Sequence, residues 1–127
     1  MNISPSNINV LAHDEIFVFG SNEAGRHGAG AAKQAMRWGA KYGQGYGLQG
    51  QTFAIPTMDY NIMPLSIEKI AYYVNRFAGD AAEHPELHFL VTEIGCGLGG
   101  KTVEEIAPLF EGCKNDHNIY LPERFLK

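Results

Sequence analysis

The sequence has no apolar run approaching the ~20 residues that a transmembrane helix requires. Its N-terminus has no basic segment followed by an apolar stretch, so we expect no signal peptide. It also has no cluster of lysine and arginine, and its formal net charge is −4. These absences argue against membrane binding and broad nucleic-acid binding. An anionic ligand is compatible with this charge only if it is small and locally shielded. We expect residues 1–127 to form one cytoplasmic domain.

Cysteine is scarce, with only Cys96 and Cys113 in the chain. Without a secretory signal, two reduced thiols are expected rather than a disulfide. His84 and His88 are four residues apart, but Pro85 between them argues against a shared helical face. No other Cys/His spacing indicates zinc, so we expect neither a metal nor a cofactor.

Glycine is the residue in excess. There are 15 glycines, where average usage of about 7% would give about nine. Nine lie between Gly20 and Gly50 and four between Gly95 and Gly100, so the excess is local. Such local density indicates positive φ angles or close approach of the backbone to a ligand.

Two glycine-rich loops each follow a strand-like run and precede a helix-like run. The first spans residues 20–30 after Phe17–Phe19, and the second spans residues 95–100 after Leu87–Thr92. This order presents free backbone N–H groups at a helix N-terminus, which suits phosphate or another anion. Two such loops in a short chain predict a diphosphate held between them. The structural alternative is that the glycines only permit tight packing of strand against helix.

Neither loop matches a familiar nucleotide-binding motif. The first gives Gly20 and Gly25, then Gly28 and Gly30, which is not the G-x-G-x-x-G of a dinucleotide-binding fold. It also lacks the Gly-Lys-Ser/Thr ending of a P-loop.

Strand-like and helix-like segments alternate along the chain, which predicts a three-layer α/β fold with a mixed, largely parallel sheet. Residues 41–50 look like an irregular loop. The predicted helices are Ala29–Ala40, a helix capped by Ser66, and a helix from a Thr102/Glu105 capping box through Phe110. The predicted strands are Glu15–Phe19, Thr52–Ile55 ending at Pro56, Leu87–Thr92, Asn118–Leu121 and a short edge strand near Ile8–Leu11.

Asn22 is the first polar candidate, because it stands where the first strand ends. Its amide could face a ribose hydroxyl or an attacking water, or it could form an Asx turn that shapes the loop. Cys96 with His27 as base is a nucleophile candidate, against the commoner case of a thiol buried by packing. The carboxylates near the loops show no spacing that establishes an acid/base pair; they are Asp14, Glu23, Asp59 and Glu93.

The aromatic candidates are Tyr42, Tyr46 and Tyr60. They could stack on a base or simply cover the core.

The run Phe17-Val18-Phe19-Gly20-Ser21-Asn22, with Gly28-Ala29-Gly30-Ala31-Ala32 after it, resembles the macro domain pattern of strand, Asn-bearing loop, glycine cluster and helix. Residues 94–100, Ile-Gly-Cys-Gly-Leu-Gly-Gly, are similar to the second, diphosphate-binding loop of that superfamily. Ala54-Ile55-Pro56-Thr57 also fits, in the style of a short bacterial and phage branch. The resemblance extends from Glu15 to Leu121.

The resemblance implies an α/β/α sandwich that binds ADP-ribose or a related nucleotide in a cleft between the loops, with Asn22 facing the distal ribose. The leading interpretation is binding with possible weak hydrolase activity, and the alternatives are an active ADP-ribosyl hydrolase and a ligand-less interaction protein. The implied ligand-binding residues are Gly20, Ser21, Asn22, His27, Gly28, Ala29, Gly30, Ala31, Pro56, Thr57, Gly95, Cys96, Gly97, Leu98, Gly99 and Gly100.

Two departures bear on catalysis. Some macro-like deglycosylases carry a lysine after the Pro-Thr, where this chain has Met58, so a Schiff-base route is not supported here. They also carry an acidic or aromatic residue at or just after the second loop, where this chain has Gly99-Gly100-Lys101. A route through Asn22 and a substrate-activated water stays open as the candidate catalytic role.

Overall fold

The computed structural model describes all residues, Met1–Lys127. One six-stranded sheet runs through the domain in the order β1-β6-β5-β2-β4-β3. Its strands are β1 Asn2–Ile3, β2 Glu15–Asn22, β3 Gly47–Gln49, β4 Thr52–Met58, β5 His88–Val91 and β6 Ile119–Leu121. All neighbouring pairs are parallel except β3 with β4, so the predicted mixed, largely parallel sheet is confirmed.

Three α-helices connect these strands, and two of them continue as a turn of 3-10 helix. They are α1 Gly30–Ala35 with Met36–Trp38, α2 Ile67–Ala82, and α3 Val103–Ile106 with Ala107–Phe110. A last 3-10 turn covers Glu123–Phe125. The predicted caps are confirmed: Ser66 accepts from the Lys69 N–H, and Thr102 with Glu105 forms a capping box.

Alternation along β2 separates the core into two layers. Ile16 and Val18 face a cluster of 18 buried residues that includes the buried face of α2. Phe17 and Phe19 face a second cluster of eight, which includes Ala32 and Ala35 of α1. Helices therefore cover both faces of the sheet, as an α/β/α sandwich requires.

One strand prediction and one loop prediction were wrong. The segment Ile8–Leu11 is not a strand, because Ile8 packs into the second cluster and its carbonyl accepts from the Gln34 side chain at 2.6 Å. The edge strand is β1 instead, and it pairs with β6. Residues 41–50 are not wholly irregular, since Gly47–Gln49 pair antiparallel with β4.

Pro56 does not end its strand, as the sequence predicted, because β4 continues to Met58. β3 pairs with β4 only as far as Ala54, so one side of β4 has no partner strand at Pro56. Proline lacks an N–H and is tolerated at such an edge position. The longer strand carries Thr57 and Met58 to the same edge of the sheet as Asn22.

Candidate ligand-binding cleft

A cleft of about 370 Å³ opens where the carboxyl ends of β2, β4 and β5 meet. Open α/β sheets bind ligands at this edge. The two glycine-rich loops form opposite parts of its wall. Its lining residues are Gly20, Ser21, Asn22, Arg26, Gly28, Ala29, Gly30, Ala31, Ala32, Thr57, Met58, Ile62, Thr92, Glu93, Ile94, Gly95, Gly97, Leu98 and Gly99.

Glycine is required where the loops are crowded. A Cβ on Gly20 would lie 3.3 Å from the backbone nitrogen of Gly95, so the end of β2 packs directly on the second loop. Gly25 has φ +72°, and a Cβ there would lie 2.3 Å from the nitrogen of Gln44. Part of the glycine excess is therefore explained by packing, as the structural alternative proposed.

Other glycines are not explained by packing. A Cβ on Gly28 or Gly97 would meet nothing within 4 Å, and neither residue has a positive φ. Both lie on the cleft wall. Their small size leaves the loop backbone open to a ligand.

The second loop is folded on itself and leaves several N–H groups free. The N–H of Lys101 donates to the Gly95 carbonyl at 2.8 Å, and that of Gly100 donates to the Gly97 carbonyl at 3.1 Å. The N–H groups of Gly97, Leu98 and Gly99 have no acceptor within the protein. Unpaired backbone donors in residues that line a cleft suit an anionic ligand.

The first loop has the same property on its side of the cleft. The N–H groups of Gly28, Ala29, Gly30 and Ala31 have no acceptor within the protein. The two sets of donors lie close together, since a Cβ on Gly30 would be 3.6 Å from Cδ1 of Leu98. A small anion between the loops would therefore have donors on both sides.

Asn22 lies in the cleft wall and is 4% exposed. Its amide oxygen accepts from the Arg26 N–H at 2.9 Å, and its amide nitrogen donates to the Arg26 carbonyl at 3.0 Å. Both ends of the amide thus fix the first loop. One amide hydrogen and one oxygen lone pair remain for a ligand.

Twelve of the sixteen predicted ligand-binding residues line the cleft, and four do not: His27, Pro56, Cys96 and Gly100. His27 is buried under the loop, with Nε2 3.1 Å from the Gln44 carbonyl and its ring edge-on to Phe19. Its Nδ1 is buried without a partner. His27 therefore supports the loop from below.

Cys96 is half-buried and Cys113 is buried, and neither forms a disulfide. Burial is the main cause that raises the pKa of the Cys96 thiol, and the Glu93 carboxylate adds to it. The thiol donates to the Ile94 carbonyl at 3.5 Å and lies outside the cleft lining. A protonated thiol in this position is not an activated nucleophile.

The sequence-based site omitted Arg26, Ile62 and Thr92 on the cleft wall, and gave Met58 and Glu93 no binding role. Arg26 is exposed and is the only lysine or arginine in the lining. Ile62 carried no signal, because it comes from a loop of no recognisable motif after β4.

A larger cavity of about 720 Å³ adjoins the cleft and shares Ala31, Thr92 and Glu93 with it. Residues 3–8 and 122–124 form much of its wall. The parallel pairing of β1 with β6 brings these two ends of the chain together. Composition and spacing gave no sign of this cavity, because the two segments that form much of its wall lie near opposite ends of the sequence.

Glu93 and Arg124 form an ion pair on the wall of this cavity. Arg124 Nε and Nη2 each donate to a different Glu93 carboxylate oxygen at 2.7 Å. The hydrogen bonds from Arg124 lower the pKa of the Glu93 carboxyl below its ordinary 4.5. Glu93 is therefore ionised and paired at neutral pH.

The tyrosines named as stacking candidates lie outside the cleft lining. Tyr46 donates to the Asp80 carboxylate at 2.7 Å and packs edge-on against Phe53, with the Arg76 guanidinium 4.2 Å from its ring centre. Tyr42 and Tyr60 are exposed.

Comparison with known proteins identifies the fold. A solved structure described as a macrodomain protein from Streptomyces coelicolor matches with a TM-score of 0.58 and 17% identity. The match covers 91% of this chain and 90% of that one. The chain therefore has the macro domain fold.

No protein-family model matches the chain, and no curated protein matches it significantly.

No three His, Cys, Asp or Glu side chains are grouped so that they could hold a metal ion. None of the helices has the length and apolar character needed to cross a bilayer.

Proposed function

We propose that this protein binds ADP-ribose or a closely related diphosphate nucleotide in the cleft between its two glycine-rich loops. The observation that carries the proposal is that both loops hold unpaired N–H donors in residues that line one cleft. Gly28–Ala31 on one side and Gly97–Gly99 on the other offer N–H groups that no protein atom accepts. A diphosphate has oxygens on both sides and can use both sets.

The shape of the site fits the rest of such a nucleotide. The adjoining cavity of about 720 Å³ provides room for a base and its ribose on the β6 side. The other end of the cleft, on the β4 side, carries Asn22 and Thr57, which offer polar groups to a second ribose. An elongated ligand with a central diphosphate therefore matches the order of cavity, loops and polar end.

Local charge is compatible with this ligand although the net charge is −4. Arg26 lines the cleft, and the Glu93 carboxylate is neutralised by Arg124. Backbone dipoles supply the remaining positive field without any lysine cluster.

Binding is favoured over hydrolysis. Met58 stands where a Schiff-base mechanism would need a lysine, and no lysine lines the cleft. Asn22 has both ends of its amide on the Arg26 backbone, and Cys96 lies outside the lining with a raised pKa. Incubation with ADP-ribosylated protein and DNA should release no ADP-ribose; release that requires Asn22 would support the hydrolase alternative.

A ligand-less interaction protein would have a pocket that side chains such as Tyr46 or Met58 block. Tyr46 packs against α2 residues outside the cleft, and Met58 lines the cleft without closing it. An open cleft with unpaired donors favours a ligand.

Titration calorimetry with ADP-ribose tests the proposal. We expect a Kd in the micromolar range, and no heat at millimolar ligand would overturn the proposal. A glutamate at Gly97 would place a carboxylate on the cleft wall without a clash in the protein, so Gly97→Glu should abolish binding.

The matched control for that variant is Gly112→Glu. Gly112 also has open space around its Cβ position, and it lies away from the cleft. This variant should bind like the wild type. Gly99 is a poorer choice, because a Cβ there would lie 2.8 Å from Cα of Gly95 and would distort the loop itself.

A further inference from the structure

The β4-side end of the cleft changes from polar to apolar. Asn22 pairs in register with Met58, and Met58 and Ile62 line the cleft there. Both are at least partly exposed, and Ile62 is 39% exposed. An ADP-ribose placed as proposed would carry only a hydroxyl on its second ribose toward this apolar surface, which would stay largely exposed to water.

Ile62 is held in the cleft wall by a strained backbone. Its φ is +61°, and it is the one non-glycine residue with a positive φ. A β-branched residue in this region is a genuine outlier, and such strain clusters at ligand sites. Asp59 holds the loop in this shape, because its Oδ1 accepts from the N–H groups of Asn61 at 2.8 Å and Met63 at 3.0 Å.

The charged side chains near this end of the cleft are of both signs. Asp59 follows Met58 directly, and the Glu23 N–H donates to the Met58 carbonyl at 2.9 Å. The Glu23 carboxylate accepts a hydrogen bond from Tyr73. Arg26 is the only cationic side chain in the cleft lining. These charges do not select a phosphate or carboxylate, and an uncharged ring can occupy this end of the cleft.

We propose that the preferred ligand is nicotinamide adenine dinucleotide in its oxidised form, NAD+, with the nicotinamide ring packed on Met58 and Ile62. This inference rests on the proposed function, since it keeps the diphosphate between the two loops. The ring is attached to the ribose carbon that in ADP-ribose bears the hydroxyl. Methionine sulfur and an aliphatic side chain both pack well on a planar ring.

Calorimetry with two ligands tests the inference. NAD+ should bind roughly fivefold more tightly than ADP-ribose, because its nicotinamide ring would bury apolar surface of Met58 and Ile62. Chromatography of the mixture should recover the dinucleotide with its nicotinamide attached. Release of nicotinamide, or an ADP-ribose affinity equal to or above that of NAD+, would overturn the inference and leave the proposed function standing.

If neither ligand binds, the proposed function itself fails, so the two failures are distinguishable. The decisive variant is Ile62→Asn, which removes the apolar side chain and puts a residue that tolerates positive φ in its place. Misfolding therefore does not explain its effect. The two Kd values should then come within about twofold of each other.

The control is Met63→Gln, which alters an exposed apolar side chain of the same loop outside the cleft lining. It should keep the wild-type preference for NAD+. Loss of the preference in Met63→Gln, or its persistence in Ile62→Asn, would contradict the placement of the ring.

Discussion

Glu93 and Arg124 form a bidentate ion pair where the cleft meets the larger cavity, with both N–O distances at 2.7 Å. The pair joins the end of β5 to the C-terminal 3-10 turn. It also sets the charge beside the proposed diphosphate, because an unpaired Glu93 would repel it.

Removing one partner or the other should therefore have opposite effects on binding. Glu93→Gln removes the negative charge and frees Arg124, so ADP-ribose should bind roughly threefold more tightly, with a larger gain at low salt. Arg124→Gln leaves an unpaired carboxylate beside the ligand, so binding should weaken by a similar factor. Calorimetry at two salt concentrations measures both, and equal changes in the same direction would contradict this role.

The same pair has a defined pH dependence. Arg124 lowers the pKa of Glu93, so its contribution to the free energy of unfolding is present above the ordinary pKa of 4.5 and is lost as pH falls through the lower folded value. Since both side chains are partly exposed, Arg124→Gln should lower the free energy of unfolding only slightly at neutral pH and not at all in strong acid. Urea unfolding over this pH range checks the prediction.

Asn22→Ala should weaken binding and stability together. It removes two hydrogen bonds to the Arg26 backbone, so the free energy of unfolding should fall by about 1–2 kcal/mol, and the first loop should lose its position. Urea unfolding and calorimetry on the same preparation measure the two effects. Weakened binding at unchanged stability would instead indicate that Asn22 acts by ligand contact alone.

Loss of the Cys96 thiol should leave ADP-ribose binding unchanged within about twofold, because the side chain lies outside the cleft lining. In the wild type, the raised pKa of Cys96 should make alkylation by iodoacetamide slower than that of free cysteine at neutral pH. Cys113, whose pKa is raised to about 11 by burial, should react more slowly still. Rapid loss of binding on alkylation would contradict this placement of Cys96.

Tyr46→Phe should affect stability and not binding. It removes the hydrogen bond to Asp80 and should lower the free energy of unfolding by about 1 kcal/mol at neutral pH. Burial, together with Asp80, raises the pKa of Tyr46 above its ordinary 10.0. Its contribution is therefore present below pH 10.0 and is lost as pH rises toward the folded value, so the variant and the wild type should converge in strong alkali. A change in ADP-ribose affinity in this variant would place Tyr46 at the site after all.

Short sequence patterns predicted the structural features that depend only on neighbouring residues. The capping box at Thr102 and the Ser66 cap were both readable from neighbouring residues. The glycine loops were also readable, since strand, glycines and helix follow one another along the chain. Pairing between distant segments was not.

β3 shows why the rest was missed. Three residues with a glycine carry little strand propensity, and only antiparallel pairing with β4 makes them a strand. The sequence predicted that the strand ends at Pro56. Proline is tolerated there because β3 stops before it and leaves one side of β4 without a partner strand, and the local sequence does not show where β3 stops. The cavity wall from residues 3–8 and 122–124 depends on the β1–β6 pairing in the same way.

The central prediction is that the two glycine-rich loops hold a diphosphate between them. A crystal structure of the protein soaked with ADP-ribose tests this most directly. We predict the diphosphate within hydrogen-bonding distance of the N–H groups of Gly28–Ala31 and Gly97–Gly99, with the adenine in the cavity beside Glu93. A diphosphate found away from both loops, or a cleft that stays empty at saturating ligand, would contradict the account.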